Sequence, residues 1–109
     1  MLLRAIARSL ANSPSIVLLD EPTGDLDSKS TIEVMNLIAE INNFGYELEG
    51  NEGSVSRTTI VMVTHNEDLE CYGDRIIFFE DGTIHRQVLN EYQFALHPEE
   101  YSQYLNTKL

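Results

Sequence analysis

Tryptophan is absent from the 109-residue chain, cysteine occurs once, as Cys71, and lysine only twice, as Lys29 and Lys108. A lone cysteine excludes a disulfide framework and a thiolate metal cluster, and its default is an idle thiol in a reducing compartment. Seven basic residues stand against eighteen acidic ones, for a formal net charge of −11. A nucleic-acid backbone needs clustered Lys and Arg, so nucleic acid is excluded as the main partner. Two lysines equally leave no basic patch for an anionic membrane surface. No apolar run approaches the about 20 residues that a membrane-spanning helix requires. What remains is the composition of a small soluble globular protein, 42% hydrophobic and 23% charged, with room for one domain at most. Its acidity suits a solvated surface, a basic partner or a cation.

The pattern along the chain predicts helix, strand, helix, strand, short helix, two strands, helix. In "MLLRAIARSLANS" the apolar Leu3, Ile6, Ala7, Leu10 and Ala11 recur at helical spacing, and Pro14 stops them. The same stretch has arginines, serines and no acid, as a mitochondrial presequence does. It runs into the next apolar segment without a linker, which favours a packed helix. Ile16 to Leu19 is uninterruptedly apolar, the pattern of a strand buried on both faces of a parallel sheet. Ser30 and Glu33 have capping-box spacing for a second helix, with Ile32, Met35, Ile38 and Ile41 on its apolar face and Gly45 at its end.

"GYELEGNEGSVSR", residues 45–57, reads as an inserted surface loop. Thr59 to Val63 forms a second buried strand with His65 just past its end, and Asn66 caps a short helix reaching about Tyr72. "DRIIFFEDGTIHRQVL" predicts a hairpin turning at Asp81-Gly82. A polar helix from Pro98 to Asn106 follows, while His85 and His97 are read as surface residues without supporting neighbours. Strands alternating with helices mean an α/β fold with a parallel sheet, flanking helices and a C-terminal β-hairpin.

"SIVLLDEPTGDLDSKS" places Asp20, Glu21, Asp25 and Asp27 within eight residues. Ligands in parallel α/β sheets bind beyond the carboxyl ends of the strands. Asp20, Glu21 and His65 all stand at such ends. Mg²⁺ takes oxygen ligands, keeps several waters and commonly uses one or two carboxylates together with substrate phosphates. An aspartate ending a buried strand has the Walker B arrangement. Glu21 is placed to act as general base on a water, and His65 to meet a phosphate or its developing charge. The plainer reading gives Asp25, Asp27 and Ser28 to a turn and a helix cap, and it is preferred for Asp25.

"IVLLDEP", "TGDLDS" and "VMVTHN", in that order, resemble the C-terminal half of an ABC-type ATPase domain, a P-loop NTPase fold. The resemblance runs from "AIARSLANSP" through "DRIIFFEDGTI" and spans most of residues 4–89, and "DEPTGDLDS" is similar to the subfamily of lipoprotein release and macrolide export. It implies that Asp20 is the Walker B residue assisting Mg²⁺, with water between, and that Glu21 is the catalytic glutamate. It implies that His65 is the switch histidine at the γ-phosphate of ATP, and Asp27 the intersubunit D-loop residue. The implied partners are a second ATPase domain, in a nucleotide-sandwiched dimer, and a transmembrane transporter subunit or domain, with the ATPase at the cytoplasmic face of the membrane.

Half of the family's pattern has no counterpart in these residues. Neither lysine follows a glycine, so there is no G-x-x-x-x-G-K-[ST] loop whose amides and lysine would hold phosphates. No two glycines are adjacent, so an LSGGQ-type signature is missing, and the Q-loop is not represented. Leu2 and Leu3 stand where the family usually has Gln-Arg. Residues 1–109 therefore read as a partial ATPase domain, expected to be inactive alone and marginally folded. A non-catalytic module docking on an intact ATPase is the alternative. A small metal-dependent hydrolase using Asp20, Glu21, Asp27 and His65 ranks behind both, because Asp27 would have to fold back across a turn.

Overall fold

The computed structural model describes residues 2–12, 14–44, 46–47, 55–56 and 58–107. Helix α1 (Leu2–Leu10) leads into strand β1 (Ile16–Asp20) and helix α2 (Ser28–Phe44). Two short strands, β2 (Tyr46–Glu47) and β3 (Val55–Ser56), pair antiparallel within the 45–57 loop, most of which lies outside the described residues. Strand β4 (Thr59–Val63) and a 3-10 helix (Glu67–Tyr72) follow. The chain then forms β5 (Arg75–Glu80), β6 (Thr83–Leu89) and helix α3 (Pro98–Thr107).

β1 and β4 pair in parallel from Ile16 opposite Thr59 to Asp20 opposite Val63, with α2 in the crossover between them. The start of β4 is tied down from three sides. Thr58 Oγ1 donates to the Pro14 carbonyl at 3.2 Å, Thr59 N–H donates to Ser15 O at 2.8 Å, and Asn42 Nδ2 donates to Thr58 O at 3.0 Å. These bonds fix the register, so both strand ends arrive together at the same edge.

The core gathers under one face of this pair. α2 buries Ile32, Val34, Met35 and Ile38 against Ile6, Leu69 and Tyr101, with Leu19, Ile60 and Met62 packed on the cluster. Each such aliphatic side chain contributes roughly 1.5–3 kcal/mol on full burial. The opposite face is bare: Ile16, Leu18, Val61 and Val63 are exposed, Leu18 at 75%. Burial on both faces, the expectation for Ile16 to Leu19, does not hold. Alternate residues point to opposite sides of a strand, and among the described residues no third strand or helix covers the outer side.

Helix α2 starts at Ser28, within the Ser28–Ser30 stretch expected, but its cap is not the Ser30–Glu33 box. Asp27, not Ser30, is the cap of α2: its Oδ1 accepts the Ser30 N–H at 2.7 Å, and its carbonyl accepts the Thr31 N–H at 2.9 Å. An ionised carboxylate binds the positive end of a helix more strongly than a hydroxyl, so Asp27 outcompetes the Ser30–Glu33 box. Asn66 caps the 3-10 helix as expected, with Oδ1 accepting from Asp68 N–H at 3.0 Å. The hairpin turns at Asp81 (φ 51) and Gly82 (φ 78), the doubly left-handed turn that matches strand twist. His85 has a neighbour after all: Glu80 Oε2 lies 3.2 Å from its Nδ1 on this exposed hairpin.

Candidate active site

The parallel ladder continues one bond past β1. Glu21 N–H donates to Val63 O at 2.8 Å, which carries the glutamate to the strand exit. There its backbone turns left-handed, with φ at 45. That region costs a non-glycine residue of order 1 kcal/mol or more, and the following Pro22 further disfavours anything but extended backbone. Bonds from Gly24 N–H to Glu21 O and from Leu26 N–H to Thr23 O, each 3.2 Å, hold the turn closed. The strain therefore persists because the ladder on one side and the turn on the other determine the conformation between them.

Glu21 Oε1 is fully shielded and has no hydrogen-bond partner among the described residues. His65 Nε2 stands 3.4 Å from it, within ion-pair reach but without hydrogen-bond geometry. A shielded carboxylate oxygen lacking a donor costs about 1–3 kcal/mol, so this atom is disposed to accept a hydrogen bond from a bound donor such as water. The imidazole itself is 95% exposed. Its turn is ordered by its neighbours, with Asn66 N–H donating to Thr64 Oγ1 at 3.0 Å.

These groups face a cleft of about 390 Å³ whose walls include Glu21, Thr23, Ser28, Thr64, His65 and Tyr101. Asp20 is exposed at the end of β1, opposite Val63, and does not line the cleft. Asp27 is exposed at the start of α2. The Ser30 N–H bond holds its carboxyl below the usual carboxylate range, with the Ser30 side chain and the charge of Lys29 acting the same way. Of the sequence-derived residues, the fold thus joins Glu21 and His65 in one cleft. Among the described residues no group of three or more His, Cys, Asp or Glu could hold a metal by itself. The donor set instead suits an ion bound through one strand-end carboxylate, waters and phosphate oxygens, a pattern Mg²⁺ accepts.

Tyr101 and Ser102 were missed in the sequence, where the last helix reads as a polar closing element. The structure buries Tyr101 to 7% exposure on the wall of the cleft. The available signal was the spacing of Tyr101 and Leu105, one helical turn apart on the same face.

A parallel pair with strand-end acids, flanking helices and an antiparallel hairpin is a piece of an α/β fold that places its site at the carboxyl ends of the strands. No protein-family model matches the chain, but individual proteins do. An uncharacterized ABC transporter ATP-binding protein of Methanocaldococcus jannaschii, MJ0796, is 43% identical over 83 residues, 76% of this chain and 31% of that protein. The lipoprotein-releasing system ATP-binding protein LolD of Rickettsia typhi is 42% identical over 80 residues, 73% of this chain and 31% of LolD. The dimeric, post-hydrolysis structure of the cassette MJ0796 bound to ADP and Pi superposes with a TM-score of 0.59 at 39% identity. It covers 78% of this chain and 32% of that one. The chain belongs to the ABC-type ATPases, matching the C-terminal part of their ATP-binding domain. It spans between 10% and 31% of the length of the curated relatives it matches.

Proposed function

We propose that residues 1–109 supply the water-activating part of an ATP-hydrolysing domain that energises an ABC transporter. In this reading the phosphate-binding loop and the signature come from sequence outside these residues. The observation that carries it is the shielded Glu21 Oε1, without a hydrogen bond among the described residues and 3.4 Å from His65 Nε2, at the ends of two parallel strands. In this role Glu21 Oε1 would accept a hydrogen bond from the attacking water and orient it toward the phosphate. His65, exposed into the cleft, is free to meet a terminal phosphate and to neutralise its developing charge. Asp20 would hold Mg²⁺ through water, and the ion would supply charge neutralisation on the phosphates.

Asp27 would face a second ATPase domain, because it caps α2 yet leaves its carboxylate exposed. The dimeric state of the solved MJ0796 cassette supports that pairing. A transmembrane transporter subunit as the further partner is supported by the transporter name of the relative MJ0796. Residues 45–57 would be an insertion carried on the surface of this domain.

The test is ATP turnover with Mg²⁺ in two forms of the protein. The 109-residue chain alone should show no turnover above background. Joined to a segment bearing the phosphate loop and signature of a close relative, it should hydrolyse ATP, and Glu21→Gln should lower kcat by about 100-fold or more. Steady turnover by the isolated chain, or a joined form indifferent to Glu21→Gln, would sink the reading. Copurification with an intact ATPase unaffected by Glu21→Gln would support the non-catalytic docking role instead.

A further inference from the structure

Helix α3 lies beyond residues 4–89, which carry the family resemblance, yet it forms a wall of the candidate active site. The phenol of Tyr101 donates to Asp68 Oδ2 at 3.1 Å and accepts from Asn66 Nδ2 at 3.4 Å. Asn66 Oδ1 in turn accepts the Asp68 N–H at 3.0 Å. Tyr101, Asp68 and Asn66 therefore close a hydrogen-bonded ring that includes the residue following His65 and the Asp68 backbone. At the next residue of α3, Ser102 Oγ lies 2.8 Å from Ser28 Oγ, the first residue of α2 and the neighbour of Asp27. One short helix thus grips both the histidine turn and the end of the turn that follows Glu21.

This matters because the His65 side chain is nearly fully exposed and has no packing of its own to hold it. An unpacked side chain keeps a fixed position only as far as its backbone is fixed. The backbone at Thr64–Asn66 is held by β4 on one side and by the Tyr101 ring on the other. We propose that Tyr101 is a positioning residue, setting the distance between His65 and Glu21 through Asn66 and Asp68, with Ser102 bracing the opposite wall. The proposal rests on the reading of Glu21 and His65 as the working pair. Tyr101 also packs in the core, so its two contributions have to be separated. Tyr101→Phe does this, since it keeps the ring and removes only the hydroxyl that closes the network.

The experiment follows the His65 ring signals by NMR in the full 109-residue chain. In the otherwise native chain, Glu21→Gln should shift those signals, because Oε1 lies against Nε2. In the Tyr101→Phe background the same substitution should no longer shift them, while the amides of β1 and β4 keep their protection from exchange. Ser102→Ala should weaken the effect without abolishing it. A shift that survives undiminished in Tyr101→Phe would overturn the proposal. So would loss of amide protection throughout β1 and β4, which would make the hydroxyl a general stabiliser. A His65 signal that ignores Glu21→Gln even in the native chain would remove the pairing itself. The ATPase reading is judged separately, by turnover; of these results only the last touches it, by removing the Glu21–His65 juxtaposition on which it rests.

Discussion

Glu21 and Asp27 sit six residues apart and show how one acidic cluster divides its work. Glu21 is forced into a left-handed backbone before a proline and keeps one carboxylate oxygen shielded without a donor. Both features oppose folding, and under the proposed role of Glu21 they leave an acceptor placed to hold the attacking water. Asp27 is the reverse case, an exposed acid that serves stability by capping α2. The sequence marked Glu21 as a general base and offered Asp27 as a helix cap or an intersubunit residue, but backbone φ and the choice between Asp27 and Ser30 as cap depend on how the turn closes. The pH consequence for Asp27 follows from its depressed folded pKa. Such a group contributes stability above its unfolded pKa, and the contribution disappears as pH falls through the lower, folded value. Asp27→Asn keeps an acceptor but removes the charge. The stability difference between native chain and Asp27→Asn should therefore be constant near neutrality and shrink on acidification, beginning below the ordinary carboxylate range. Denaturant titrations at a series of pH values check this, and a difference that grows on acidification would contradict it.

At the scale of elements, the two strands, the second helix and the hairpin were legible because each is written in local chemistry. β4 was read as Thr59 to Val63 and is found there, and Asp81-Gly82 turns the hairpin as expected. Helix α3 was legible as a helix but not as a wall of the site, because its neighbours Asn66, Asp68 and Ser28 are distant in sequence. The C-terminal segment before it is anchored similarly. Tyr72 OH donates to Asn36 Oδ1 at 2.6 Å and accepts the Leu96 N–H at 3.0 Å, and burial raises its pKa above the usual phenol range. The hairpin allows a cleaner test. Gly82 has φ at +78, and a Cβ there would meet nothing within 4 Å. Gly82→Ala should thus destabilise only through backbone strain, by about 1 kcal/mol, with the structure of β5 and β6 retained. A denaturant midpoint equal to that of the native chain would show that the turn relaxes instead.

For the whole molecule, the central fact is that the parallel pair is covered on one side only. Val17 is buried, and Leu19, Ile60 and Met62 pack on the core, whereas Ile16, Leu18, Val61 and Val63 face outward. An unbroken apolar strand is the signature of burial on both faces, so the sequence describes an environment that the described residues only half provide. Unpaired strand edges and a bare apolar face of this kind favour association with another chain. Leu18 discriminates between the two situations. In the isolated chain its replacement by Ser removes a side chain that is 75% exposed, so stability should change by no more than about 0.5 kcal/mol. Self-association, followed by sedimentation at rising protein concentration, should fall. In the chain joined to the phosphate-loop segment, the same side chain should be enclosed by the completed sheet, and Leu18→Ser should then destabilise by roughly 2–5 kcal/mol. A substitution equally mild in both forms would mean that this face stays open in the assembled domain. One equally severe in both would mean that the isolated chain already finds a cover for it, which the concentration series would reveal as a stable oligomer.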